Sequence, residues 1–359
     1  MKPQNVVLVG AGAISDAWLP AIQSEGLTLS AVVDLDRDRA VQQLEAHQMS
    51  APIEQDLSET IAKYRPDLVV DITPPEARVQ VSGLALRAGV PVLCEKPLAA
   101  NITDARELAS IAKEAGVLFA VSQSRRWENG PATLRSVVQQ GELGAVTSIH
   151  CDFFIAAHFG DFAKEATDDP EQTYATKTCM DLNASMHPLL GDLAIHHFDM
   201  ARFITGHDAF SVYAVEYNPI GSWFKGGGSA VVIVEFPGNI IFSYRASWMS
   251  EGFPTSWNGA WRVTTERGTV RMIDTDEVEA EIVAEDRGFR RPLRRHPVST
   301  VSLEPAGIQG ALHDMVTAIA EGRNPDSPAS ENIQSIAIVF AAIESAKRGS
   351  KVEMKEFLS

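Results

Sequence analysis

No stretch of this 359-residue sequence is apolar for long enough to span a bilayer, and its start runs almost directly into a charge-free strand pattern without a cleavage site. The expectation is a soluble, cytoplasmic protein with no membrane partner. Cysteine is scarce: Cys94, Cys151 and Cys179 are too few and too scattered for a disulfide framework, and no CxxC pair occurs. The thiols are expected to be reduced. Basic residues are outnumbered, 31 Lys plus Arg against 47 Asp plus Glu, for a net charge of -16. Such a field repels nucleic acid and polyanions and favours small neutral ligands. Repeats and low-complexity tracts are absent, which excludes solenoid architectures.

What is present is enough chain, 45% hydrophobic, for two domains with separate cores. Val6–Val9 reads as a buried strand, followed at once by Gly10, Ala11, Gly12, Ala13, Ile14 and Ser15 and then a helical pattern. Gly10 permits a tight turn, Gly12 allows backbone to approach a pyrophosphate, and the helix N-terminus offers free N–H groups to it. Ser15 takes the place of the third glycine. A second strand ends in Asp34, near the ~20-residue spacing expected of a ribose-binding carboxylate. Asp34 favours NAD, because it accepts from ribose hydroxyls and repels a 2′-phosphate; Arg37 and Arg39 nearby keep NADP as the alternative. Pro20 is expected to split the first helix into two pieces.

Strands and helices continue to alternate as far as Val121, which predicts a doubly wound parallel sheet over residues 1–122. Thr73, Pro74 and Pro75 close the third long strand of this region at its carboxyl end. The run from Val90 to Leu98, V-P-V-L-C-E-K-P-L, is a strand that stops at Glu95, Lys96 and Pro97. Its end opens into the crevice where such sheets bind ligands.

From residue 123 to 305 the pattern becomes strand-rich, with hairpin turns at Pro237–Asn239 and Glu266–Gly268, predicting an α+β domain with a large open, mostly antiparallel sheet. Gly226–Gly228 follows no strand-to-helix context and reads as a mobile loop. A long polar segment, Ala156 to Pro188, carries His158, Asp161, Asp168, Asp169, Tyr174 and Lys177 and is expected to cover substrate. Arg287–Pro297 reads as a basic, irregular loop. The helices in 306–359 are expected to return, the first two of them, to the first domain.

Leu189–Thr205 predicts a largely apolar, buried helix. At about 100° per residue it places Asp192, His196 and Asp199 on one face. Three readings are open: a structural network, a metal site, and acid/base chemistry with Asp192 orienting His196. Adjacent His196 and His197 point apart and share an ion poorly, and Lys96 with the nucleotide fingerprint raises the third reading; no metal is expected.

The G-A-G-A-I-S turn, T-P-P, C-E-K-P and D-L-A-I-H together resemble the glucose–fructose oxidoreductase/inositol dehydrogenase/MocA (Gfo/Idh/MocA) family over nearly the whole length. The resemblance implies a Rossmann domain plus an open-sheet domain, and an NAD(P)-dependent dehydrogenase acting on a secondary hydroxyl of a sugar or cyclitol. It implies that Lys96, Asp192 and His196 are catalytic, and that assembly is a homo-oligomer, dimer or tetramer, through the sheet. The candidate cofactor contacts are Gly10, Gly12, Ala13, Ile14, Asp34, Thr73, Pro74, Glu95 and Lys96. The candidate substrate contacts are Gln123, Arg126, Trp127 and His197. Two rivals share this fold: a glycosidase that oxidises transiently with bound NAD, and a non-catalytic ligand sensor. Arg78, where many members have histidine, and His187–Gly191, in place of a glycine-rich approach to the helix, depart from the family pattern.

Overall fold

The computed structural model of the chain describes residues 2–157 and 185–358. His158, Asp161, Asp168, Asp169, Tyr174 and Lys177 of the expected substrate-covering segment lie outside the described residues. The chain divides into two compact units, Met1–Trp127 with Glu304–Ile336, and Glu128–Leu303 with Ala337–Ser359.

The first unit runs β1 (Asn5–Val9), α1 (Ser15–Ser24), β2 (Thr28–Val33), α2 (Arg37–Ala46), β3 (Ile53–Glu54), α3 (Leu57–Tyr64), β4 (Leu68–Asp71), α4 (Arg78–Arg87), β5 (Val92–Glu95), α5 (Ile102–Ala115) and β6 (Phe119–Ser122). All strand pairs are parallel, in the order β3-β2-β1-β4-β5-β6. Strand order reverses between β1 and β4, so the ligand crevice of this doubly wound sheet opens at the carboxyl ends of those strands. The strands β4, β5 and β6 are buried at every residue, as expected of a parallel sheet covered on both faces.

Helix α1 is continuous through Pro20, contrary to the expected split. The ring removes one i→i−4 bond, but Trp18, Leu19, Ala21 and Ile22 on either side of it are locked into the core, while Pro20 itself faces solvent.

The second unit begins with α6 (Asn129–Gln139) and β7 (Val146–Phe154), continues through α7 (Ala194–Thr205), and adds β8 (Ser211–Tyr217), β9 (Ser229–Phe236), β10 (Ile240–Ser247), β11 (Ala260–Thr265), β12 (Gly268–Met272), β13 (Val278–Val283) and β14 (Leu293–His296). Helix α8 (Gly307–Glu321) contributes Leu312, Met315 and Val316 to the core of the first unit. Helix α9 (Ala329–Arg348) is divided between the units at Ile336/Ala337, and β15 (Val352–Glu353) closes the second sheet.

Among the described residues that sheet has nine strands, ordered β14-β13-β12-β11-β7-β10-β9-β8-β15, antiparallel except for the β7–β10 pair. Alternation explains its two faces: Ala230, Val232, Val234 and Phe236 of β9 point inward, while Val231 and Ile233 stay partly exposed. The Pro237–Asn239 turn joins β9 to β10 as expected, with Gly238 and Asn239 both at positive φ.

Two expectations are corrected. The basic stretch Arg287–Pro297 is not wholly irregular, because Leu293–His296 pairs with β13 as an edge strand whose exposed arginines disguise it. Gly226–Gly228 is buried and tightly packed rather than mobile: a Cβ on Gly226 would stand 2.1 Å from the Met186 carbonyl oxygen. Among the described residues no helix is long and apolar enough to cross a membrane.

Candidate active site

The turn after β1 is shaped by two glycines with different tasks. Gly10 has φ +101, and a Cβ there would meet Ile72 at 3.1 Å, so both conformation and space require glycine. Gly12 has nothing within 4 Å of its would-be Cβ. Its backbone is therefore open to a ligand, as a pyrophosphate requires. Ser15 fits the third-glycine position because its buried hydroxyl turns back to donate to the Gly12 carbonyl at 2.6 Å. Ala13 and Ile14 complete the turn and supply the carbonyls to which the first helical N–H groups return.

Asp34, at the end of β2, is buried and accepts three hydrogen bonds: from Ala11 N–H at 2.6 Å, Asp36 N–H at 2.7 Å and Arg39 Nη2 at 2.7 Å. Sequence alone offered Arg37 and Arg39 as equivalent; the structure separates them. Arg37 donates to the Ile53 carbonyl, whereas Arg39 compensates Asp34.

The strand ends at β4 and β5 are tied together by Arg78, which is 1% exposed. Its guanidinium donates to the carbonyls of Thr73, Glu95 and Pro97, so it anchors the backbone on both sides of Lys96. Asp71 holds the Thr73–Pro74 turn through the Thr73 N–H and hydroxyl and is itself braced by Ser82. Glu95 accepts from the Trp18 indole at 2.8 Å and from Lys96 N–H at 3.0 Å. Burial pushes the Glu95 carboxyl above its ordinary range, with Lys96 and the Trp18 hydrogen bond acting against that. Trp18 and Arg78 are the positioning residues that sequence reasoning did not assign. No local signal links Trp18 to a carboxylate 77 positions away.

Gln123 follows β6 and is 1% exposed; neither amide atom has a hydrogen-bond partner among the described residues. An unpaired buried amide is costly, so this side chain suits a polar ligand or water. By register Ser122 pairs with Glu95, which brings Gln123 beside the Lys96 end of β5. The open Gly12 backbone, the Asp34 carboxylate and the orphaned Gln123 amide are the features of this unit that fit a nicotinamide dinucleotide.

Arg126 and Trp127 pack against the return of the chain to the first unit. The Arg126 guanidinium donates to the Asp326 carbonyl at 2.6 Å and pairs with Glu331 at 3.2 Å. Trp127 packs so closely on Gly310 of α8 that a Cβ there would stand 2.8 Å from it. Both residues bind the chain's return segment.

In the second unit the expected helix begins with a π turn, Leu189–Leu193, where Ala194 N–H bonds back to Leu189, before α7 proper. The 100° rule therefore fails between Asp192 and His196, because Asp192 lies on the wider turn; such turns recur at functional sites. His196 is 7% exposed and Asp199 and Arg202 are buried, with Arg202 paired to Asp208. His197 is packed in the core of the unit. It is 1% exposed, its Nδ1 lies 3.1 Å from the Tyr244 hydroxyl, and the rings of Phe153, Tyr244 and Trp261 surround it. Trp248 and Trp261 are likewise core residues.

Residues 4–123 match the family described as "Oxidoreductase family, NAD-binding Rossmann fold", and residues 132–271 match its "GFO/IDH/MocA C-terminal domain". The chain belongs to the Gfo/Idh/MocA oxidoreductase family. Its cofactor is the NAD-type dinucleotide of that family's Rossmann domain. Among Gfo/Idh/MocA relatives, D-apiose dehydrogenase of Paraburkholderia graminis is 25% identical, over 97% of this chain and 89% of that protein. An oxidoreductase from Agrobacterium radiobacter, solved with NAD+, L-tartaric acid and magnesium, has the same fold, with TM-score 0.82, 19% identity and 99% coverage of both chains. So has levoglucosan dehydrogenase in complex with NADH and levoglucosan, with TM-score 0.77, 19% identity, and coverage of 98% of this chain and 99% of that one.

Proposed function

We propose that the chain is an NAD-dependent dehydrogenase that oxidises a secondary hydroxyl of a sugar or cyclitol. The observation that carries this reading is the seating of Lys96. The backbone on both sides of it is anchored by Arg78, and its own N–H donates to buried Glu95, at a strand end of an NAD-binding fold. That is how a cation is held against a reacting oxygen without reorganising. The sugar-dehydrogenase relative and the neutral-ligand preference of a chain with net charge -16 support the substrate class.

A nicotinamide dinucleotide held by the glycine turn and Asp34 would supply the acceptor for the hydride of the carbinol carbon. His196 takes the hydroxyl proton, so that loss of hydride and proton together leaves a neutral ketone. Lys96 stabilises the negative charge that develops on the oxygen, and Asp192 orients the imidazole. A histidine base must be neutral to work, so oxidation slows in acid.

The test is NADH accumulation with a panel of polyols. Sustained accumulation is expected, whereas a transient redox glycosidase or a sensor produces none. Lys96→Met is expected to lower turnover by roughly the ~2.7 to 4 kcal/mol typical of one charge-stabilising group. His196→Asn is expected to abolish most turnover and flatten the acid limb of the rate profile while calorimetric NAD affinity persists. Near-normal turnover in either variant, on a substrate the unmodified protein oxidises, overturns the assignment.

A further inference from the structure

Just before the π turn, His187 meets a buried carboxylate. Its Nδ1 lies 2.6 Å from Glu216 Oε2; the Glu216 side chain is 8% exposed and that of His187 25%. Glu216 projects from β8, and its second oxygen is buried with no hydrogen-bond partner among the described residues.

The pair sits on a floor built by the glycine run. Gly227 N–H donates to the Met186 carbonyl at 3.1 Å, fixing the residue before His187. A Cβ on Gly227 would stand 2.1 Å from Glu216 Cγ, and one on Gly226 would strike the Met186 backbone. Gly227 thus leaves room for the Glu216 side chain, and Gly226 leaves room for the backbone that leads into His187. His187 is also coupled to the helix, since its carbonyl accepts from Gly191 N–H at 2.8 Å, next to Asp192.

A histidine whose Nδ1–H donates to a carboxylate is held in one ring orientation, with the Nε2 lone pair on the far side. Here Nε2 has no partner among the described residues, and the ring is partly exposed. Burial pushes the Glu216 carboxyl upward, opposed by the hydrogen bond from His187.

We propose that His187, oriented by Glu216, is a specificity-determining contact that accepts a hydrogen bond at Nε2 from a substrate hydroxyl other than the one oxidised. The proposal rests on the dehydrogenase reading. It defines the substrate as a polyol with at least two hydroxyls, one read by His187 and one oxidised.

The test uses the NAD-loaded protein with myo-inositol, D-apiose and levoglucosan, and with monodeoxy forms of whichever of them it accepts. His187→Asn keeps a donor at the Nδ1 position for Glu216 but deletes Nε2. It is expected to raise KM about tenfold, the scale of one lost hydrogen bond to a ligand, with kcat changed less than about threefold and thermal midpoint and NAD affinity unchanged. His187→Gln, which restores an acceptor near Nε2, should recover part of the loss. One monodeoxy substrate should show the same KM with the unmodified protein and with His187→Asn. An unchanged KM, an equal penalty on every monodeoxy form, or a loss confined to folding and NAD binding overturns the proposal while leaving the dehydrogenase reading intact. If the unmodified protein neither oxidises any of the three polyols nor binds one by calorimetry, the dehydrogenase reading fails and this inference fails with it.

Discussion

Single residues set the cofactor preference and one pH dependence. Asp34 was legible from its position after the second strand, but its partners were not. The three donors converging on it come from the glycine turn, from Asp36 and from Arg39, and only the folded backbone brings the first of these close. Calorimetric titration should show NAD binding more tightly than NADP. Asp34→Ala should narrow the gap, and Arg39→Ala should widen it by leaving the carboxylate uncompensated; equal or tighter NADP binding by the unmodified protein refutes this. Glu95 gives the pH dependence. Its folded-state value is raised by burial, so above the ordinary value of 4.5 the folded chain still holds a proton that the unfolded chain has released. Stability contributed by this group is therefore complete below that value and declines as pH rises through the raised one. Glu95→Gln abolishes that decline. Urea midpoints across the window should show the variant gaining on the unmodified protein as pH rises; parallel curves would disprove it.

At the scale of elements, periodicity located the first-unit strands and helices but misjudged three features. The proline in α1 did not break it, because flanking side chains in the core hold the helix against the loss of one hydrogen bond. Pro20→Ala should therefore stabilise the protein by about 2 to 2.6 kcal/mol, the interior-proline penalty less the unfolded-chain entropy that the ring removes. An unchanged or lower urea midpoint would show that the helix is already relaxed around the ring. The π turn before α7 is invisible to a 100° rule, because one extra residue in a turn leaves composition and apolar spacing almost untouched. The edge strand β14 was hidden by its arginines: an edge needs pairing on one side only, so its exposed positions carry charge instead of the alternation that marks β9.

At the scale of the whole molecule, the outer face of the nine-stranded sheet is apolar on one side, with Tyr213, Val215, Tyr217, Val231, Ile233 and Ile241 partly exposed on β8, β9 and β10. Ion pairs such as Arg245–Asp152 and Arg271–Glu279–Arg295 occupy the same sheet. We propose a homo-oligomer joined through this face. Light scattering should report a dimer or larger, and Ile233→Glu should shift it toward monomer; a monomeric unmodified protein at micromolar concentration would refute the proposal. The sequence by itself determined the fold class and the nucleotide turn, and it singled out Lys96, Asp192 and His196 as candidates, because strand and helix periods, glycine requirements and strand-end residues are local properties of the chain. Only the tertiary structure decided that Arg126, Trp127 and His197 are bound up in packing, that Arg78 and Trp18 seat Lys96 and Glu95, and that Gly227 leaves room for Glu216 to meet His187. Those pairings join residues far apart in the chain, and burial and hydrogen-bond satisfaction, which select them, exist only after the chain has folded.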